Sequence, residues 1–394
     1  MYRIQTLNNI SPQGLKHFPE SYSVSSENAL PDAVLVRSAP VDTDAISSML
    51  CIARAGAGVN NITVEKATAK GVCVFNTPGA NANAVAELVF IMLGIAARKI
   101  HKGLEFTQSL AAETDDKVIA EKMEKGKSKY SGFELMGKTL GVVGLGKIGV
   151  LVANAGLDRG MSVVGYDPFP TVANVHYLNS RVDITHKLED AIRNADVISV
   201  HVPLSDKTRN LIDSKQLQKL KDGVILINYA RKGVYDDTAV LDALASGKVN
   251  TYITDFPTHD LIVNDKVICT PHLGASTAES EENCALMAVK QVRNYLEYGV
   301  IANSVNFPGV EVFPQESTRT RLVVINRDVP GMIAKITQVV GAAGLNIQAL
   351  TNESNGKIGY NIIDLECDLP AGLEQSLVRI ENVVRVRVLK YPGK

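Results

Sequence analysis

Cysteine is sparse and scattered in this 394-residue chain. Its five cysteines, Cys51, Cys73, Cys269, Cys284 and Cys367, are odd in number and nowhere form a CxxC pair. That pattern excludes a disulfide framework and a thiolate metal site, and it points to buried thiols in a reducing, cytoplasmic setting. Charge of one sign is lacking too: 41 Lys and Arg stand against 42 Asp and Glu, a net charge of −1. Without a basic excess there is no electrostatic footprint for nucleic acid. No apolar run is long and unbroken enough to span a bilayer, and the opening MYRIQTLNNISPQG has no apolar signal-peptide core. Tryptophan is absent, which bears on no class of function. What is left is an ordinary globular composition, 45% hydrophobic and 21% charged, with length enough for two or three domains.

Against that background residues 137–149, GKTLGVVGLGKIG, stand out. An apolar run over 140–143 meets Gly144, Gly146 and Gly149, and Lys147 and Ile148 open a helical stretch. This is G-x-G-x-x-G between a strand and a helix, the context that gives the pattern meaning. The first glycine makes the tight turn, the second lets backbone approach a pyrophosphate, and the third brings helix close to strand. A second apolar strand over 161–166 ends in Asp167, where an acid bonds ribose hydroxyls and repels the extra phosphate of NADP. The expected cofactor is NAD.

Three regions separate along the chain. Up to about residue 95, short strands such as 33–36 and 72–75 alternate with helices. From 140 to 268, strands over 140–143, 162–166, 197–201, 224–228, 251–255 and 266–269 alternate with helices at parallel-sheet spacing. Helical stretches over 84–108 and 276–298 connect the two, so the first region is discontinuous and 305–307 rejoins it. The lysine-rich 117–138 reads as a solvated helix and loop. After a polar linker at 309–320, the tail restarts with a βαββαβ pattern of ferredoxin-like type. The expected fold is α/β, with two Rossmann-like doubly wound parallel-sheet domains and a C-terminal ferredoxin-like domain. The expected boundaries are 1–95 with 285–310 for substrate, 96–284 for NAD, and 319–394 for the tail.

Open α/β sheets bind ligands at the carboxyl ends of their strands. Four polar residues fall there: His201 in VISVHVP, Arg231 in LINYARKG, Asp255 in YITDFP and His272 in CTPHLGAST. Singly, a His after Pro is a loop residue and an Arg after a strand a surface charge. Their common position beside a dinucleotide motif favours a site with a base for an alcohol proton and a cation for an acid substrate. His201 reads mainly as a shape-setting residue.

The segments GKTLGVVGLGKIG, SVHVPLSDKT, LINYARKGVYD and CTPHLGAST, in order and spacing, resemble the D-2-hydroxyacid dehydrogenases. The resemblance covers 30–305. It implies that Arg231 holds the substrate carboxylate and that His272 is the acid/base. It places Gly144, Gly146, Lys147, Ile148, Gly149, Asp167, His201, Val202, Pro203, Tyr229, Ala230, Asp255, Gly274 and Ala275 along NAD, with Asp255 toward the nicotinamide amide. The family pairs its His with a glutamate. Here that position falls on His259 or Asp260, and Asp260 is favoured because only a carboxylate stabilises an imidazolium.

LVRSAPVD, RAGAGVNNI and NTPGANANAVAE resemble the branch of that family that oxidises 3-phosphoglycerate at the first step of serine synthesis. This implies a small phosphorylated hydroxy acid gripped by Arg37 and Ser38, with Asn81 near a helix start. VVINRDVPGMIAKITQVVGAAGLNIQAL is similar to ACT domains, amino-acid-binding modules at dimer interfaces. It implies a homodimer or homotetramer and L-serine as an effector near Asn346, with 309–320 as a hinge; a purely structural tail is the alternative. Rival readings are a hydroxypyruvate or glyoxylate reductase and an NADH-binding corepressor-like protein.

Overall fold

The computed structural model describes residues 1–44 and 47–391. The chain divides into two compact units, one formed by Met1–Asn81 with Ala278–Lys394 and the other by Ala82–Thr277.

In the first unit, β1 (Tyr2–Leu7), β2 (Tyr22–Ser25), β3 (Ala33–Val36), β4 (Cys51–Arg54) and β5 (Cys73–Phe75) form a parallel sheet in the order β2-β1-β3-β4-β5. The central AVLV of β3 is wholly buried, as a parallel strand covered on both faces requires. The order reverses between β1 and β3, which opens a crevice at their carboxyl ends. The chain returns through helix Ala278–Tyr298, packed on this sheet, and Val305 bonds back to the Val74 carbonyl at 2.9 Å.

The second unit is the dinucleotide-type sheet. Its strands are β6 (Thr139–Val143), β7 (Ser162–Tyr166), β8 (Asp183–Thr185), β9 (Val197–Val200), β10 (Val224–Asn228), β11 (Val249–Thr254) and β12 (Val267–Cys269). All are parallel, in the order β12-β11-β10-β9-β6-β7-β8, with the switch between β6 and β9. The single helix expected over 84–108 is two: the apolar Ala82–Ala97 and the exposed Ile100–Ser109, broken at Lys99 with φ 51°. The break has a packing cause. Phe133 donates to the Ala97 carbonyl at 3.0 Å, and a Cβ on Gly132 would lie 2.0 Å from that oxygen, so the first helix ends against this segment. Helix Asp116–Gly126 buries no residue, in line with a solvated 117–138.

The tail folds as β13 (Thr320–Arg327), β14 (Ala349–Ser354), β15 (Ile358–Leu365) and β16 (Val383–Lys390), an antiparallel sheet in the order β14-β15-β13-β16 with helices Met332–Ala342 and Leu373–Val378 on one face. This is the expected βαββαβ topology. Its other face changes the expected organisation. β13 is buried on both sides: Leu322 and Val324 meet the tail's own helices, while Val323 and Ile325 enter the core of the first unit with Ile358, Tyr360, Ile362 and Leu389. Segment 309–320 is therefore a bonded strap rather than a hinge. Val310 bridges Ile301, and Thr318 is buried and bonded to Gln348 at 2.9 Å. The tail does not separate from the first region, and the breaks fall at 81/82 and 277/278, not at 95/96, 284/285 and 318/319. Among the described residues, no helix is long and apolar enough to cross a membrane.

The tail also caps helix Ala278–Tyr298. Of its last four carbonyls, that of Tyr295 accepts from the Gly299 N–H at 2.9 Å, and the helical pattern leaves the other three without a partner. Arg387 donates to Tyr295 and Leu296 at 3.1 and 3.0 Å, Tyr391 to Glu297 at 3.1 Å, and Arg321 to Tyr298 at 2.8 Å. Arg321 is fully buried and forks onto Asp364 at 2.7 and 2.8 Å.

Candidate active site

At the end of β6 the chain turns at Gly144, φ 96°, where a Cβ would sit 2.9 Å from the His201 carbonyl oxygen. A Cβ on Gly149 would lie 1.8 Å from the Gly144 oxygen, so only glycine allows this helix to close on the strand. At Gly146 a Cβ would meet no heavy atom within 4 Å. Helix Lys147–Asp158 starts there with no side-chain cap. The turn thus presents open space over an uncapped helix start, the cradle a pyrophosphate requires.

Asp167 follows β7. Its Oδ2 accepts from the Leu145 N–H and its Oδ1 from the Phe169 N–H, both at 2.9 Å. The carboxylate is fixed at the rim of the glycine turn and keeps lone pairs for hydroxyl donors. His201, Val202 and Pro203 follow β9 and wall the same turn; a Cβ on Gly144 would also touch Val202 Cγ1 at 2.9 Å. His201 Nε2 lies 2.8 Å from Ser199 Oγ, and burial pushes its imidazole down to about 3. A histidine held neutral there is no proton carrier near pH 7.

β10 delivers Tyr229, Ala230 and Arg231. Asn228 shapes this turn, donating to the Arg231 carbonyl at 3.1 Å while its Oδ1 accepts from Ala230 at 3.2 Å. The exposed Arg231 side chain folds onto the Ala230 carbonyl at 2.7 Å. Tyr229 is buried beside Thr270, and burial raises its phenol above the usual range.

Asp255 follows β11; it is buried and holds the loop after β12. Its Oδ1 accepts from Thr270 Oγ1 at 2.5 Å and the Leu273 N–H at 2.8 Å, and its Oδ2 from the Gly274 N–H at 2.7 Å. A Cβ on Gly274 would press on that oxygen at 3.1 Å; Ala275 follows. Between these anchors stands His272 with φ 57°, a left-handed backbone that costs roughly 1–3 kcal/mol outside glycine. Its exposed ring meets Phe256 edge-on, centroids 5.3 Å apart. His259 and Asp260 open the short helix His259–Ile262; among the described residues, no hydrogen bond or ion pair joins either to His272.

In the first unit, Arg37 and Ser38 follow β3 at the switch of the five-stranded sheet. Asn8 Oδ1 accepts from the Ser38 and Ala39 N–H groups at 3.2 and 2.6 Å. Arg54, at the end of β4, donates to the Arg37 and Gly58 carbonyls at 2.9 and 2.7 Å. Arg37 pairs with Glu281 at 2.5 Å. Half-buried Asn81 ends this part of the unit, and Asn346 lies exposed in the tail. Asn8, Arg54 and Asn228 were not marked in the sequence. The one signal for Asn228 and Arg54 is a polar side chain closing an apolar strand.

Residues 104–274 match the family model of the D-isomer specific 2-hydroxyacid dehydrogenase NAD binding domain. D-3-phosphoglycerate dehydrogenase of Haemophilus influenzae is 34% identical over 84% of this chain and 79% of its own length. That of Mycobacterium leprae is 38% identical over 71% of this chain, which spans only 52% of that longer relative. The NAD+-bound 3-phosphoglycerate dehydrogenase structure from Entamoeba histolytica superimposes with a TM-score of 0.60 at 28% identity, covering 77% of this chain and 98% of that one. With the glycine cradle, Asp167, Arg231 and His272 each at the carboxyl end of a strand, the chain belongs to the D-3-phosphoglycerate dehydrogenases, oxidoreductases of the D-isomer specific 2-hydroxyacid dehydrogenase family.

Proposed function

We propose that the chain oxidises 3-phospho-D-glycerate to 3-phosphohydroxypyruvate with NAD, the first step of L-serine synthesis. The observation that carries this reading is the gathering of the glycine turn, Asp167, Arg231 and the left-handed His272 at one carboxyl edge of a parallel sheet. Bound NAD supplies the acceptor for the hydride that leaves the carbinol carbon. Gly144 to Gly149 hold its pyrophosphate, Asp167 its ribose, and the His201–Pro203, Tyr229–Ala230, Asp255 and Gly274–Ala275 segments its remaining length. Arg231 unfolds from its own backbone to bind the substrate carboxylate. His272 takes the hydroxyl proton and, in the reverse direction, returns it. Asp260 is the proposed partner of the imidazolium. Arg37, Ser38 and Asn81 are assigned to the phosphate end. A second cation in addition to Arg231, Arg37 at the switch of its own sheet, suits a substrate with a phosphate as well as a carboxylate, over the singly charged acids of a hydroxypyruvate or glyoxylate reductase.

Helices Ile100–Ser109 and Asp116–Gly126 bury no residue of their own, and Ile100, Leu104 and Met123 are exposed on them. These faces support a homodimer or homotetramer. L-serine is assigned to the tail near Asn346 and the Gly331 turn that opens helix Met332–Ala342.

The test is NADH formation with 3-phosphoglycerate, D-glycerate and lactate side by side, with and without L-serine. Turnover of 3-phosphoglycerate far above the other two is expected; equal or lower turnover refutes the substrate reading. Asp167→Ala is expected to raise KM for NAD and narrow its advantage over NADP. A wild type that prefers NADP contradicts the role given to Asp167.

A further inference from the structure

Arg37 is not idle in the absence of substrate. Its Nη1 lies 2.5 Å from Glu281 Oε1, and the two side chains are 36% and 43% exposed. Such a pair is exchangeable: water screens it, and each partner can turn to another ion. It is also not what shapes the loop. Asn8 fixes the Ser38 and Ala39 N–H groups, and Arg54 fixes the Arg37 carbonyl. Glu281 thus meets the guanidinium of Arg37 and not the backbone of its loop. It sits in the first turn of the 21-residue helix Ala278–Tyr298, whose positive end favours a carboxylate there.

We propose that Glu281 is a resident anion of the substrate site, which occupies Arg37 until the phosphate of the substrate displaces it. A phosphate monoester carries close to two charges and three acceptor oxygens near pH 7, so it displaces a single carboxylate where weaker anions fail. Glu281 thereby keeps the Arg37 guanidinium paired between turnovers, at the cost of a higher KM for the phosphorylated substrate. This rests on the assignment of Arg37 to the phosphate end.

The experiment is calorimetric titration of the full-length chain with inorganic phosphate, beside steady-state kinetics. Glu281→Gln keeps the shape and removes the charge. It is expected to bind phosphate about two- to fivefold more tightly, the factor a half-exposed ion pair supplies. KM for 3-phosphoglycerate should fall by a similar factor while kcat and the KM for D-glycerate stay unchanged. Glu281→Ala should act alike, and neither change should have a further effect in an Arg37→Ala background. The gain should shrink at high salt. Unchanged or weaker phosphate binding in both Glu281 variants overturns the proposal, as does a kcat that falls with KM unmoved. A wild type that ignores 3-phosphoglycerate, with phosphate still tightened by Glu281→Gln, overturns the substrate reading and leaves the resident anion standing.

Discussion

His272→Ala is expected to lower kcat roughly 10²–10⁴-fold, the usual worth of a positioned acid/base. NADH affinity, read by fluorescence titration, should be nearly unchanged, because the glycine turn and Asp167 are built from β6 and β7 without the His272 loop. The geometry gives the expectation a second edge. His272 holds φ 57° only because Asp255 anchors residues 270, 273 and 274 around it. His272→Gly removes the backbone strain and should lose activity to the same degree as His272→Ala. A glycine variant with near-normal kcat would show that the loop shape matters and the imidazole does not. Asp260→Asn and His259→Ala belong beside them. The one that shifts the pH–rate profile is the partner of the imidazolium; if neither does, Phe256 and the Asp255-held loop orient the ring unaided.

Truncation before Arg321 is expected to destroy the first unit rather than release an unregulated enzyme. The cut removes Val323, Ile325, Ile358, Tyr360, Ile362 and Leu389 from a shared core. At about 1.5–3 kcal/mol for each large buried side chain, the loss equals or exceeds the 5–15 kcal/mol that a typical domain has in reserve. It also strips the caps from the last turn of helix Ala278–Tyr298. The truncated chain should bind a hydrophobic dye, lose near-ultraviolet dichroism and make no NADH. Cooperative unfolding with activity retained would mean that the tail is a detachable module. Arg321→Ala tests the same interface with one atom group. It leaves Asp364 buried without its partner and should cost about 3–5 kcal/mol in a denaturant titration.

Much of the second unit was legible in the sequence. Parallel strands read as short apolar runs, and 162–166 and the fully buried 224–228 are where that pattern put them. The glycine spacing works at the level of single backbone contacts, which is why Gly144 and Gly149 declared themselves. In the first unit β1, β2 and β4 escaped notice: YRIQTL buries only Ile4 and YSVS only Tyr22, so neither reads as an apolar run, and β4 ends in the charged Arg54. Without the stronger of these strands, the switch that gives Arg37 its position was out of sight.

The sequence alone determined most elements of the second unit, the topology of the tail and the chemical types at the strand ends, because local periodicity and glycine geometry are properties of neighbouring residues. Only the tertiary structure decided what those elements face. The alternation in β13 is identical whether Val323 and Ile325 meet solvent, a second copy or the first unit; the fold places them in the core and turns a supposed hinge into a strap. The same holds for charge. Arg37 and Glu281 lie 244 positions apart, and their pairing follows from the return of helix Ala278–Tyr298 to the first sheet, a contact between distant parts of the chain that no local pattern encodes.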